Sequence, residues 1–198
     1  LRDALKSLKL QVYKNFEVIV INDGSLDEKK IKKIINLFKK NLLITFISYK
    51  KNKGVSFALN KGIKKAKGKY ISWLSHDDYF HPKKLEKQIN VLKKNENRLI
   101  FTGFYQVDEN KNIINKKLYK NFLFKYEHHI LFRDDLNLST ALFAKKVFKK
   151  NGFFDLKKKH TQDYDMMFKM FQNFKVIMIN EPLFYLNLPI YFSAGIIN

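Results

Sequence analysis

Two aspartates stand side by side at positions 77 and 78 in the stretch "YISWLSHDDYFHP", directly after a mostly apolar run and shortly before a proline. Adjacent carboxylates repel each other unless a cation or hydrogen-bond donors sit between them, and hard oxygen ligands of this kind suit Mg or Mn. The plainer alternative is helix capping. It fits poorly, because Pro82 at a first helical position makes His81 the cap and leaves both carboxylates upstream. A second acidic group, Asp23 of "NDGS", follows another apolar run. An Asp-Gly turn needs no ligand there, and a binding site would use the same residues. Asp163 and Asp165 of "QDYD" fall in the expected first turn of a helix, where favouring the helix dipole and accepting a proton are both open to them.

The elements that must position these groups are legible in the hydrophobic pattern. Leu5 and Leu8 share a helical face, "FEVIVI" (16–21) reads as a strand, and Ile31, Ile34, Ile35 and Phe38 recur at helical spacing. "LLITFIS" (42–48) predicts a second strand, Ala58, Leu59, Gly62, Ile63 and Ala66 a helix, "YISWL" a third strand, and Leu85, Ile89 and Leu92 a further helix. Strands alternating with helices imply a parallel sheet with right-handed crossovers, and ligands of such sheets bind beyond the carboxyl ends of the strands. Asp23 and the Asp77–Asp78 pair both fall at such ends.

The second half changes character. "LIFTGFYQV" and "NIINKKLY" flank the turn-like "DENKN" and predict a hairpin, "NFLFKYEHHILF" a helix, and "LSTALFA" a strand. "GFFD" breaks the chain, "QDYDMMFKMFQNF" predicts a helix with Tyr164, Met167, Phe168 and Phe171 on its apolar face, and "KVIMI" predicts a last strand. The expected organisation is one α/β domain in two halves: residues 1–98 with a mostly parallel sheet, residues 99–198 mixed.

Composition narrows the chemistry. The 198 residues include no cysteine, which removes disulfides, thiolate metal sites and cysteine nucleophiles. Lysine and arginine together number 39 against 18 acidic residues, a formal charge of +21, yet only Arg2, Arg98 and Arg133 are arginines. Base-edge reading leans on the guanidinium fork, so sequence-specific nucleic-acid recognition is not expected. The lysine excess fits either an AT-rich genome or attraction of anionic lipid or substrate. The chain is expected in the cytoplasm, at most peripheral at the inner face of the membrane.

Four segments in order, "SLKLQVYKNFEVIVINDGSLD", "NKGVSFALNKGIKKAKGKYISWLSHDDYFHPKKLEKQ", "GFFD" and "QDYDMMFK", together resemble the family 2 nucleotide-sugar glycosyltransferases of the GT-A fold. The resemblance implies a Rossmann-like nucleotide-sugar-binding half and an acceptor-binding half. It also implies an inverting hexosyltransferase-type reaction from a nucleoside diphosphate donor, most commonly UDP, to a hydroxyl of a glycan or lipid-linked acceptor, in bacterial surface polysaccharide or lipid-linked glycan assembly. Mg or Mn is the implied cofactor.

Position by position, the resemblance makes Asp23 the partner of the nucleobase and Gly54 and Asn60 supporting residues of the nucleotide site. Asp77 becomes the ligand of the diphosphate-bridging metal, Asp78 its neighbour, and Asp163 the catalytic base. Ser75 stands where the family usually has a third aspartate, and brings a hydroxyl without charge; His76 beside it is a weak candidate ligand or a plain loop residue. The family's first apolar strand is also missing from the start of this sequence, so the chain reads as shortened at its N-terminus. The rival expectations are a nucleotide-binding relative without turnover, or a basic protein that binds nucleic acid or an anionic membrane.

Overall fold

A computed structural model describes residues 1–119, 136–158 and 160–188. In chain order the elements are α1 (Arg2–Lys9), β1 (Val18–Asp23), α2 (Glu28–Asn36), β2 (Ile44–Tyr49), α3 (Val55–Lys65), β3 (Tyr70–Ile71), β4 (Tyr79–Phe80) and α4 (Lys84–Leu92). They continue with β5 (Arg98–Val107), β6 (Ile113–Lys117), a 3-10 turn (Leu138–Thr140), β7 (Leu142–Ala144), α5 (Val147–Asn151), α6 (Gln162–Phe171) and β8 (Lys175–Asn187). The helix expected from "NFLFKYEHHILF" lies outside the described residues.

β1 and β2 pair in parallel from Val18 opposite Ile44 to Asp23 opposite Tyr49, as the pattern implies. The expected third parallel partner is absent from that sheet. β3 is only two residues long and pairs antiparallel with β7, in a second, six-stranded sheet ordered β3-β7-β5-β8-β4 with β6 also on β5. The strand stops early because β7 itself is short and follows a 3-10 turn. Ser72 therefore leaves the ladder and donates its hydroxyl to the Ala141 carbonyl at 2.8 Å. Among the described residues, no strand pairs with the remaining edge of β1 or of β3.

The hairpin β5–β6 is antiparallel as predicted. The final strand is far longer than "KVIMI" suggests: β8 runs parallel to β5 for ten pairs, with an irregularity where Gly103 meets Pro182. Proline has no N–H for the ladder, so the irregularity falls where the pairing can be interrupted, and beyond it the strand resumes. Adjacent positions then sort to opposite faces. Phe80, Phe184 and Phe104 enter the core, and Tyr79, Tyr185 and Tyr105 stack on the other face with centroids 4.5 and 5.2 Å apart.

One apolar cluster fills the space around the six-stranded sheet, drawing on Leu85, Ile89 and Leu92 of α4 and Met166, Met167, Met170 and Phe171 of α6. A smaller one joins Leu5, Val18, Ile35 and Leu42 under β1 and β2. The buried face of α6 is rotated from the expected one: Phe168 is 41% exposed, while Met166 and Met170 are fully buried. Residues 163, 166, 167, 170 and 171 follow helical spacing, so Asp163 sits on the inward face. Asp165 lies outside it and pairs with Lys169 at 2.6 Å.

Lys84, at the start of α4, is wholly buried. Its ammonium donates to Gln88 Oε1 at 2.9 Å and Ser72 Oγ at 3.3 Å and lies 4.0 Å from the Phe80 ring centroid, with no carboxylate partner among the described residues. Gln88 in turn donates to the carbonyls of Ile100 and Thr140. This network clasps both ends of the segment that carries Asp77 and Asp78. Burial pushes the Lys84 ammonium down from 10.5 to about 7. Between those values the unfolded chain binds a proton that the folded chain does not, so this group makes stability rise with pH across the window. Urea unfolding between pH 7 and 10 should show that rise in the native chain and lose it in Lys84→Met; superimposable pH profiles would contradict the assignment.

Candidate active site

Asp23 closes β1, and its carboxylate is held by the loop that follows β2. Oδ2 accepts from the N–H groups of Lys53 at 3.0 Å and Gly54 at 2.8 Å. Gly24 makes this approach possible: its φ is +91°, and a Cβ there would lie 2.4 Å from the Asn52 nitrogen. Gly54 caps α3 at φ 93°, ψ 159°, a conformation that side-chain-bearing residues avoid. The structure thus joins Asp23 and Gly54 at a helix N-terminus, where an anionic carboxylate is favoured.

Asn60, on α3, is buried and faces elsewhere. It donates to the Phe154 carbonyl at 2.8 Å and accepts from the Phe154 N–H at 2.9 Å, fastening the "GFFD" loop to α3. Ser56 adds a longer bond to the Lys158 carbonyl at 3.4 Å. The helix that begins beside Asp23 therefore also anchors the segment leading to Asp163.

Ser75, His76 and Asp77 are exposed in the loop between β3 and β4, whereas Asp78 is only 3% exposed. Neither aspartate caps a helix: α4 begins at Lys84, with Lys83 as its N-cap residue and no side-chain cap. Asp78 Oδ1 accepts from the Asn187 N–H at 2.9 Å, at the far end of β8. Burial pushes the Asp78 carboxyl up to about 6 and the Asp77 charge adds to the rise, while the Asn187 N–H and the Ser75 hydroxyl oppose it. His76 Nδ1 lies 3.7 Å from Asp77 Oδ1. Trp73 packs edge-on against Phe143 and Phe154 and steadies the strand that enters this loop.

Asp163 is largely buried, and burial raises its pKa. No hydrogen bond or ion pair among the described residues joins it to Asp77 or Asp78. What these places share is unused acceptor capacity. Of six buried side-chain polar atoms without a partner among the described residues, four are oxygens that can only accept, Asp23 Oδ1, Gln162 Oε1, Asp163 Oδ1 and Asn187 Oδ1, beside the Thr102 hydroxyl and the Arg98 Nε. A buried acceptor without a donor is costly, and a ligand that brought N–H, O–H or cation partners would relieve that cost. Asn187 carried no signal in the sequence, because the last strand was expected to end before it. Among the described residues, no three His, Cys, Asp or Glu side chains converge to hold a metal ion.

The profile of the family described as "Glycosyl transferase family 2" matches residues 1–156. This chain belongs to glycosyl transferase family 2. The chain is 37% identical over 194 residues to an uncharacterized glycosyltransferase of Rickettsia prowazekii, covering 92% of this chain and 58% of that protein. A relative in Methanocaldococcus jannaschii, also described as an uncharacterized glycosyltransferase, is 31% identical over 192 residues, covering 96% of this chain and 66% of its own length. The chain thus spans under three fifths of the Rickettsia relative. In structure it is similar to S. aureus TarS residues 1–349 in complex with UDP, at a TM-score of 0.75 and 18% identity, covering 94% of this chain and 56% of that one. A TarS structure in complex with UDP-GlcNAc aligns at 0.74. The α/β fold with its curled mixed sheet is therefore the GT-A fold of these glycosyltransferases.

The Asn60 clasp generates a structural expectation. Asn60→Ala strands the buried N–H and carbonyl of Phe154 and should lower unfolding free energy by about 1–3 kcal/mol in urea titration. An unchanged midpoint would show that water replaces the amide there.

Proposed function

We propose that this glycosyltransferase moves a hexosyl unit from a nucleoside diphosphate donor, UDP first among them, to an acceptor hydroxyl with inversion at the anomeric carbon. The observation that carries the proposal is the set of unpartnered buried acceptors, above all the Asp163 carboxyl on the inward face of α6. A carboxyl whose pKa is raised by burial is a better proton acceptor than an exposed one. Asp163 takes the proton of the attacking hydroxyl. Asp23 Oδ1 accepts an N–H of the nucleobase, while the Asp23 Oδ2 bonds keep the loop and Gly54 close to the nucleotide. Ser75 and Asp78 support the diphosphate side.

The residues present fit a divalent cation of the Mg or Mn type. Such an ion bound with a nucleotide takes one or two protein carboxylates and fills its remaining positions with phosphate oxygens and water, so the pair Asp77 and Asp78 suffices without a third acidic side chain. Asp77, the exposed member, is the proposed ligand. When bound, the cation offsets charge on the leaving diphosphate. The proposed acceptor is a glycan or lipid-linked glycan of surface polysaccharide assembly. The proposed setting is the cytoplasm, in peripheral contact with an anionic membrane. No helix among the described residues is long and apolar enough to cross a membrane.

A panel of nucleotide sugars assayed for transfer by the full-length protein tests the reaction. Asp163→Asn should lower turnover roughly 100-fold or more while leaving nucleotide–metal affinity nearly unchanged, because the base acts only as the hydroxyl attacks. Asp165→Asn, which loses only its surface pair with Lys169, should cost little rate. Equal loss in both variants with lowered melting temperatures would remove Asp163 from the chemistry.

Asp77→Asn should abolish the Mn-dependent part of UDP binding in calorimetry without changing the melting temperature of the free protein. If variant and parent bind UDP with Mn equally well, the cation is held elsewhere.

A further inference from the structure

The edge of the fold opposite Asp23 and Asp77 carries a different surface. In α/β connectivity the carboxyl ends of β1 and β3 lie on the site side. The ends of α2 and α3, and the amino ends of β1, β2 and β3, therefore lie on the other. There a cavity of about 510 Å³ opens between the end of α3, the turn before β3 and the start of α5. Lys64, Lys69, Lys145, Lys146 and Lys149 line it together with a single acidic residue, Glu96. Glu96 is already engaged: it pairs with Lys69, accepts from the Tyr70 hydroxyl at 3.0 Å and lies 4.0 Å from Lys146. Lys64 and Lys149 have no carboxylate partner among the described residues, and Lys64 instead sits 4.6 Å from the Phe153 ring centroid.

The floor is apolar, with Phe148 and Phe153 stacked at 5.8 Å and Phe153 39% exposed. The same edge bears Leu37, 60% exposed just after α2, and Leu43, 74% exposed just before β2. A second carboxylate on this edge, Glu17, is occupied by the N–H groups of Lys67 and Gly68. Uncompensated lysines around exposed apolar side chains suit a phosphate headgroup with hydrocarbon attached to it, better than either a free anion or a nucleic acid. A ligand on this edge is remote from the Asp77 loop, so it is not the sugar acceptor.

We propose that this edge is the membrane-docking surface of the protein, with the cavity taking the headgroup of an anionic phospholipid and Phe153, Leu37 and Leu43 entering the interface. Docked this way, the nucleotide site faces away from the bilayer, which suits an acceptor that arrives from solvent or as the distal end of a long lipid-linked glycan. The inference rests on the peripheral membrane contact proposed above and locates it.

Co-sedimentation with vesicles of phosphatidylcholine plus phosphatidylglycerol, against phosphatidylcholine alone, tests it. The protein should bind the anionic vesicles preferentially, and K64E/K149E should weaken partitioning roughly tenfold or more, since each lysine near an anionic surface contributes about a fivefold factor. K29E/K30E, an equal charge change at the exposed start of α2 on the site edge, should weaken it far less. Phe153→Ser should also weaken it, and UDP–Mn affinity by calorimetry should be unaffected by K64E/K149E or Phe153→Ser. Equal losses in the two double variants would reduce the effect to diffuse charge and overturn the proposal. So would indifference to phosphatidylglycerol, or displacement from vesicles by millimolar inorganic phosphate or a duplex oligonucleotide. UDP–Mn binding that survives while vesicle binding fails would sink the docking surface and leave the transferase reading standing.

Discussion

The bond from the Asn187 N–H to Asp78 is the constraint on which much of this structure turns. A carboxylate with 3% exposure is expensive to bury, and without a donor it would either draw in water or give up its charge. The donor comes from a residue 109 positions away, the last of β8, so the strand must keep its register along β5 and past the Pro182 irregularity to deliver it. β4, only two residues long, is held against β8 by the same arrangement, with Tyr79 and Phe80 opposite Tyr185 and Phe184. The second half of the chain thereby sets the position of a loop that belongs to the first half.

Lys84 secures that loop from beneath. Its bonds to Ser72 and Gln88 and its contact with Phe80 join the departure from β3, the arrival at β4 and the start of α4 around one buried ammonium. An unpaired buried charge is costly, and the cost is tolerable only while those partners stay in place. Asp23 is fixed separately, through main-chain donors at the head of α3. α3 then carries that order to the "GFFD" loop through Asn60. Asp23, fixed through one carboxylate oxygen with the other unpartnered, is suited to a ligand that supplies the missing donor.

Much of this was legible in the sequence, for physical reasons that differ by element. β1, β2 and the first four helices announce themselves because long periodic runs bury one face. The strand-end position of the aspartates follows from the alternation alone. The α6 face departs from the pattern because Phe168 is large and apolar yet exposed, while Asp163 is polar yet inward. β3 was expected to be a full parallel strand, since nothing in "YISWL" reports the shortness of its neighbour β7. The roles of Asn187 and Lys84 depend on contacts between segments distant in the chain, which periodicity does not encode. Motif order, by contrast, is enough to carry the resemblance to the family, and the family match over residues 1–156 and the GT-A fold bear it out.

The central claim is that Asp23 and Asp78, held by main-chain amides from opposite halves of the fold, flank one nucleotide–cation site. Amide NMR of the labelled protein titrated with UDP in the presence of Mg addresses it directly, because the Gly54 and Asn187 N–H groups report on the two carboxylates separately. The account predicts saturable shifts at both amides with a single dissociation constant, and loss of the Asn187 response when Mg is omitted. Shifts confined to the lysine-lined edge, or two amides responding with unrelated affinities, would contradict it.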